Sequence, residues 1–73
     1  MVSNFKSAVE SMAGDKKIEI TKSMDRSLWE INRELDGGQM KLSEAMVKLW
    51  SVFRYNFSSD DYRKIEKEIG YNL

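Results

Sequence analysis

Apolar residues recur along this chain at the three- and four-residue intervals of a helix, and the pattern predicts four short helices. They are expected at residues 4–13, 23–35, 42–55 and 59–69. The clearest stripe belongs to the second of them, and its members are Met24, Leu28, Ile31 and Leu35. Glycines close the first, second and fourth helices. The predicted fold class is therefore all-α, a compact domain of three or four helices.

The third predicted helix, residues 42–55, is apolar over an unusually wide arc. The residues of its main face are Leu42, Ala45, Met46, Leu49, Trp50 and Phe53, with Val47 and Val52 outside that face. A helix with so little polar surface is typical of a position enclosed by several neighbours. We therefore expect residues 42–55 to form the centre of the domain, with the other helices wrapped around it.

Residues 17–22 break the helical pattern. Ile18 and Ile20 alternate there with polar side chains, which is the period of a β-strand, although helical continuation into residues 23–35 fits equally well. A lone strand leaves its backbone groups unpaired, and no second strand is predicted in this chain. A strand at this place would therefore pair with a second copy of the chain.

The sequence offers few of the side chains on which enzymes commonly rely. The sequence contains no His and no Cys, so it lacks the commonest general base, the commonest metal ligand and a thiol nucleophile. Asp60 and Asp61 are neighbours that do not face each other on a helix, and Ser58 with Asp61 matches a capping box. Glu30 and Glu34 have no matching carboxylate pair on another helix. We expect no enzyme activity, no cofactor, no metal and no small-molecule substrate.

Size and charge narrow the class of partner. A chain of 73 residues makes one domain, residues 1–73, with a marginal core that often gains stability from a partner. Twelve basic and twelve acidic residues cancel, which argues mildly against phosphate-rich nucleic acid and against an anionic membrane. No apolar run approaches the length of a membrane span and no secretory signal is present, so a cytoplasmic location is expected.

The apolar residues exceed what the small core needs, which favours a protein-interaction module. The expected interface residues are Trp29, Val47, Trp50, Val52, Tyr55 and Phe57. A second copy is the first partner to expect, because symmetric dimers are the commonest oligomers. A larger protein whose activity is modulated is the second, as for many small regulatory proteins of phages and mobile elements. The plain alternative is a helical domain whose apolar residues all serve its own core.

Residues 17–54 suggest a different function. The stretches KKIEITK, SMDRSLWEINRELDGG and KLSEAMVKLWSVF together resemble the ribbon-helix-helix family of small repressors and antitoxins. The resemblance implies an intertwined dimer whose paired strands enter the major groove of DNA. Its strand would present Lys17, Glu19 and Thr21 to the bases. The start of its second helix, near Lys41 and Ser43, would hold a phosphate.

Overall fold

The computed structural model describes residues 5–72, with side chains described for residues 5–70. The elements are α1 (Phe5–Asp15), α2 (Lys22–Asp36), α3 (Leu42–Phe53), a 3-10 turn (Arg54–Asn56) and α4 (Ser59–Asn72). Helix α1 packs against α2 and α4, and α3 packs against the same two helices. The four helices therefore form a closed ring around one core, and the predicted all-α class is confirmed.

The core draws side chains from all four helices and from the segment between α3 and α4. Its largest fully buried members are Phe5, Phe53, Leu28, Leu49, Ile65, Ile69 and Val9. In α2 the predicted stripe is confirmed, because Leu28, Ile31 and Leu35 are buried and Met24 packs against them. The helical period thus correctly assigned the inward face of this helix.

Helix α3 is less enclosed than its composition predicts. Ala45, Leu49 and Phe53 are buried, whereas Val47 is 67% exposed and Trp50 is 44% exposed. In a ring of four helices each helix has two neighbours, so the wide apolar arc of α3 extends beyond what α2 and α4 cover. The helix also ends at Phe53, because the chain turns into the 3-10 segment.

The possible strand at residues 17–22 is absent, and no residue from 5 to 72 lies in a strand. The chain instead closes α1 with a Schellman motif, in which Ile18 N donates to Ala13 O (2.8 Å) and Lys17 N to Gly14 O (3.1 Å). Ile18 and Ile20 pack against the core from an irregular link. Their alternation therefore reflects two anchors in a loop. The resemblance to ribbon-helix-helix proteins is wrong, because that fold requires the strand.

The end of α2 has the same Schellman motif, with a glycine at the left-handed position. Gly38 N donates to Leu35 O (3.2 Å) and Gln39 N to Glu34 O (2.9 Å), with Gly38 at φ 73°. This is the left-handed turn predicted for the two glycines after α2. At the end of α1 the corresponding position is Lys17, whose φ of 58° is unfavourable for a residue with a Cβ atom.

Replacing Lys17 with Gly is expected to raise the free energy of unfolding by about 1 kcal/mol, because the left-handed strain disappears. Urea denaturation followed by circular dichroism measures the change. The matched control is Gly38→Ala, which should lower stability by a similar amount from backbone strain alone, because no atom lies within 4 Å of the added Cβ. An unchanged or lower stability for Lys17→Gly would show that Lys17 is not strained.

Candidate functional site

Most of the large apolar side chains exposed on the surface gather at the end of α3. Within the described residues the exposed ones are Trp29, Val47, Trp50 and Tyr55, and the last three lie in or just after α3. They border an open groove of about 660 Å³ between the end of α3 and the start of α4, which we call the α3–α4 groove. Its principal lining residues are Met46, Val47, Trp50, Arg54, Tyr55, Phe57, Tyr62, Arg63 and Glu66.

Aromatic contacts connect the groove to the core. The Phe53 and Phe57 rings are stacked with centroids 4.8 Å apart, and Phe57 meets the Tyr62 ring edge-on at 5.5 Å. Above them Trp50 and Tyr55 meet edge-on at 6.2 Å. Aromatic pairs in such geometries attract beyond their area of contact, so the floor of the groove is held firmly in place.

Tyr62 fixes the turn that follows α3. Its hydroxyl donates a hydrogen bond of 2.6 Å to the backbone carbonyl of Arg54, and the Arg54 guanidinium lies 5.8 Å from the centroid of the Trp50 ring. Burial, assisted by the charge of Asp61, raises the pKa of Tyr62 to about 12. The hydroxyl therefore stays protonated, as a donor, at every pH at which the fold is normally studied.

The predicted capping box positions the other wall of the groove and is confirmed. Ser58 N donates to Asp61 Oδ2 (2.9 Å), and Asp61 N donates to Ser58 Oγ (3.2 Å). The first of these bonds is the largest cause that holds the pKa of the Asp61 carboxyl below its usual value, and Lys16 Nζ at 3.3 Å assists it against the opposing effect of burial. The Asp61 carboxylate thus serves to start α4 and to join it to the end of α1.

The structure places the six expected interface residues in four different environments. Val47, Trp50 and Tyr55 lie together in the α3–α4 groove. Phe57 also borders it but is only 3% exposed, so its assignment to the surplus apolar surface is corrected: stacking on Phe53 makes it part of the core. Val52 is half-buried and lines a separate small cavity between α2 and α3.

Trp29 lies outside the groove, on the exposed side of α2. Lys6 Nζ is 4.8 Å from the centroid of its ring, and the same ammonium is 2.7 Å from Glu10 Oε2 and 3.3 Å from Asp25 Oδ1. None of these residues lines the α3–α4 groove. Trp29 is therefore an exposed tryptophan in a different environment from Trp50.

The residues expected to contact DNA do not form the arrangement that the ribbon-helix-helix resemblance implied. Lys17 closes α1, Glu19 lies in the irregular link, and Thr21 caps α2 by accepting a hydrogen bond from Met24 N (3.2 Å). At the start of α3, beside Lys41 and Ser43, the Glu44 carboxylate accepts from Lys41 N (3.0 Å). The proposed phosphate position is thus already supplied with a negative charge. The DNA-contact roles depended on the strand, so they are not supported once the strand is absent.

The interface expected from the sequence did not include Tyr62 or Arg54, although both line the groove. Tyr62 lies within the predicted helix 59–69, and only the structure shows that its hydroxyl reaches the Arg54 carbonyl at the rim of the groove. Arg54 falls within the predicted helix 42–55, whereas in the structure it occupies a turn beyond the helix end. Its position in the sequence between Trp50 and Tyr55 was the available signal, because Trp, Arg and Tyr are the residues most enriched in binding hot spots.

No protein-family model, no curated protein and no solved structure matches this chain. Among the residues described, no helix combines the length and the apolar character needed to cross a bilayer. The same part of the chain holds no group of three or more acidic, His or Cys side chains arranged around a common metal position. The α3–α4 groove is therefore the candidate functional site of the part of the chain that the structure describes.

Proposed function

We propose that this chain is a small non-enzymatic protein-interaction module that binds a larger protein through the α3–α4 groove and modulates its activity. One observation carries the proposal: Trp50, Arg54 and Tyr55 lie side by side at the surface. Trp, Tyr and Arg dominate the energetics of protein–protein interfaces, where a few such residues supply most of the binding free energy. Their coincidence at one exposed site is the chemistry of a binding anchor.

The rigidity of the groove supports this use. Trp50 and Tyr55 contact each other, and the ring series through Phe57 and Tyr62 holds the floor beneath them. Side chains that are already ordered lose less conformational entropy when a partner binds. The exposed area is therefore better suited to recognition than an equal area of mobile side chains.

Two features of the sequence favoured a homodimer, and the structure contradicts one of them. A strand at residues 17–22 would have required a second copy, and that strand is absent. The exposed apolar surface at Val47, Trp50 and Tyr55 remains, and a second copy could cover it. Self-association is thus a competing use of the same groove, and sedimentation at micromolar concentration would reveal it as twice the chain mass.

Affinity capture with a pair of matched variants tests the proposal. The tagged chain is used to capture proteins from a lysate of its source organism, in parallel samples with and without nuclease. Val47→Glu places a charge in the groove, while Ser43→Glu places the same charge one helical turn earlier, outside it. We expect a defined protein to be retained by the wild type and by Ser43→Glu and lost with Val47→Glu. Both residues are exposed, so each substitution should change stability by no more than about 0.5 kcal/mol.

Two results would count against the proposal. Equal capture by Val47→Glu and the wild type would show that the partner binds elsewhere on the chain. Capture that disappears with nuclease would show that nucleic acid, rather than a protein, is the direct partner.

A further inference from the structure

Arg54 has a backbone conformation that its side chain does not favour. Its φ of 46° and ψ of −119° are close to the first central position of a type II′ turn, where Gly is the preferred residue. Strained non-glycine residues of this kind persist where the surrounding structure holds them, and they concentrate at functional sites. Because Gly would relieve the strain, the arginine at this position needs an explanation in terms of its side chain.

The turn is held in place from both sides. Arg54 N donates to the carbonyl of Trp50, and the Arg54 carbonyl accepts the bond of 2.6 Å from the Tyr62 hydroxyl. Both polar backbone groups of the strained residue are therefore satisfied by the fold itself. The guanidinium is presented from a preformed turn at the edge of the groove.

The guanidinium has hydrogen-bonding capacity to spare. Within the described residues Arg54 forms no ion pair, and its contact is with the face of the Trp50 ring. A guanidinium carries five N–H donors in a planar fork that matches a carboxylate. Among the residues that the structure describes, the ion pair of Arg63, across the groove, is a long one of 3.9 Å with the exposed Asp60, which a stronger acceptor can replace.

We propose that the α3–α4 groove binds a segment of a partner protein that carries carboxylates beside its apolar side chains, and that Arg54 selects those carboxylates. This inference rests on the proposed function. The apolar side chains of the segment would cover Val47, Trp50 and Tyr55. Of the described residues that line the groove, the charged ones are two guanidiniums, Arg54 and Arg63, and one carboxylate, Glu66. The groove is therefore complementary to a negative segment.

The same charges disfavour a second copy of this chain as the occupant. A two-fold symmetric dimer would bring the same patch of both copies together, and thereby two pairs of guanidiniums with only one carboxylate from each copy. Like charges brought together in an interface weaken it. A heterologous segment with acidic side chains avoids this repulsion.

A randomised library of displayed peptides, selected on the immobilised full-length chain, tests the inference. Peptides that also bind the Trp50→Ala variant are discarded, so that only groove-dependent sequences remain. We expect the remaining sequences to be enriched in Asp or Glu next to Leu, Phe or Trp. A selected peptide should bind the wild type about tenfold or more tightly than its copy with Asn and Gln in place of the acids. Its affinity should also fall as salt rises.

Arg54→Gly isolates the role of the guanidinium. This variant should bind the acidic peptide and its amide copy equally well, while its midpoint of thermal unfolding stays the same or rises because the backbone strain is relieved. Lys17→Gly is the matched control, since it removes a basic residue at the other non-glycine position with positive φ, outside the groove. It should keep the full preference for the acidic peptide.

The outcomes distinguish the inference from the proposed function. Groove-dependent peptides without acidic enrichment, or a preference that survives Arg54→Gly, would overturn the inference and leave the groove as a protein-binding site. A selection that yields no groove-dependent peptide would overturn both. A dimer of the wild type that becomes a monomer in Trp50→Ala would show that a second copy fills the groove, which also overturns the inference.

Discussion

Replacing Phe57 with Ala is expected to destabilise the fold by about 3–5 kcal/mol, the usual cost of removing a buried phenylalanine ring. The ring is 3% exposed, stacks on Phe53 at 4.8 Å and meets Tyr62 edge-on at 5.5 Å. At about 0.05–0.15 kcal/mol per residue, a domain of this size has a total stability of roughly 4–11 kcal/mol. The substitution therefore removes a large part of the stability and can unfold the chain at ambient temperature.

Thermal unfolding followed by circular dichroism measures this effect, and Tyr55→Ala provides the comparison. Tyr55 is 88% exposed, so its truncation should change the free energy of unfolding by no more than about 0.5 kcal/mol. If Phe57→Ala remained as stable as Tyr55→Ala but lost its partner, Phe57 would belong to the interface after all. That result would contradict its place in the core.

Replacing Trp50 with Ala is expected to weaken binding of the protein partner by about 2 kcal/mol or more, which is roughly 30-fold in the dissociation constant. The indole lines the groove, contacts Tyr55 and has the Arg54 guanidinium over its ring. Its loss removes the anchor and also the ring over which the Arg54 guanidinium lies. Isothermal titration of the purified captured protein with wild type and variant measures the difference.

Trp29→Ala is the control for the loss of an exposed tryptophan. Trp29 is 57% exposed and Trp50 is 44% exposed, but Trp29 lies beside Lys6 on α2 and borders no part of the groove. We expect Trp29→Ala to bind with nearly the wild-type dissociation constant. An equal loss of affinity for both variants would mean that the partner contacts α2 as well. A loss of affinity with Trp29→Ala alone would mean that the interface lies on α2 and not in the groove.

Periodicity in the sequence was sufficient to predict the helices, because an amphipathic stripe is a local property. The buried positions Leu28, Ile31 and Leu35 follow directly from the 3.6-residue repeat. The start of α4 and the end of α2 were also predictable. A capping box and a left-handed glycine are formed by residues close together in the chain, here Ser58 with Asp61 and Gly38.

A short alternating pattern was misleading at residues 17–22, because a β-strand and an irregular link with two partly buried anchors both produce it. Ile18 and Ile20 alternate as in a strand, yet they anchor an irregular link to the core. A strand also needs a neighbour to receive its hydrogen bonds, and this fold offers none within the described residues. The left-handed position after α1 is occupied by Lys17 and not by a glycine, so the sequence did not mark it. The predicted end of the first helix, residue 13, was therefore too early.

The sequence by itself therefore determined the helical class, the inward stripes and two of the helix boundaries, all of which depend on residues within a few positions of each other. Only the tertiary structure decided which apolar side chains remain in contact with water. Trp50 and Phe57 are both large and aromatic, but the ring of four helices leaves the first at the surface and encloses the second. Burial depends on which helices become neighbours, and that arrangement is set by packing between residues distant in the chain.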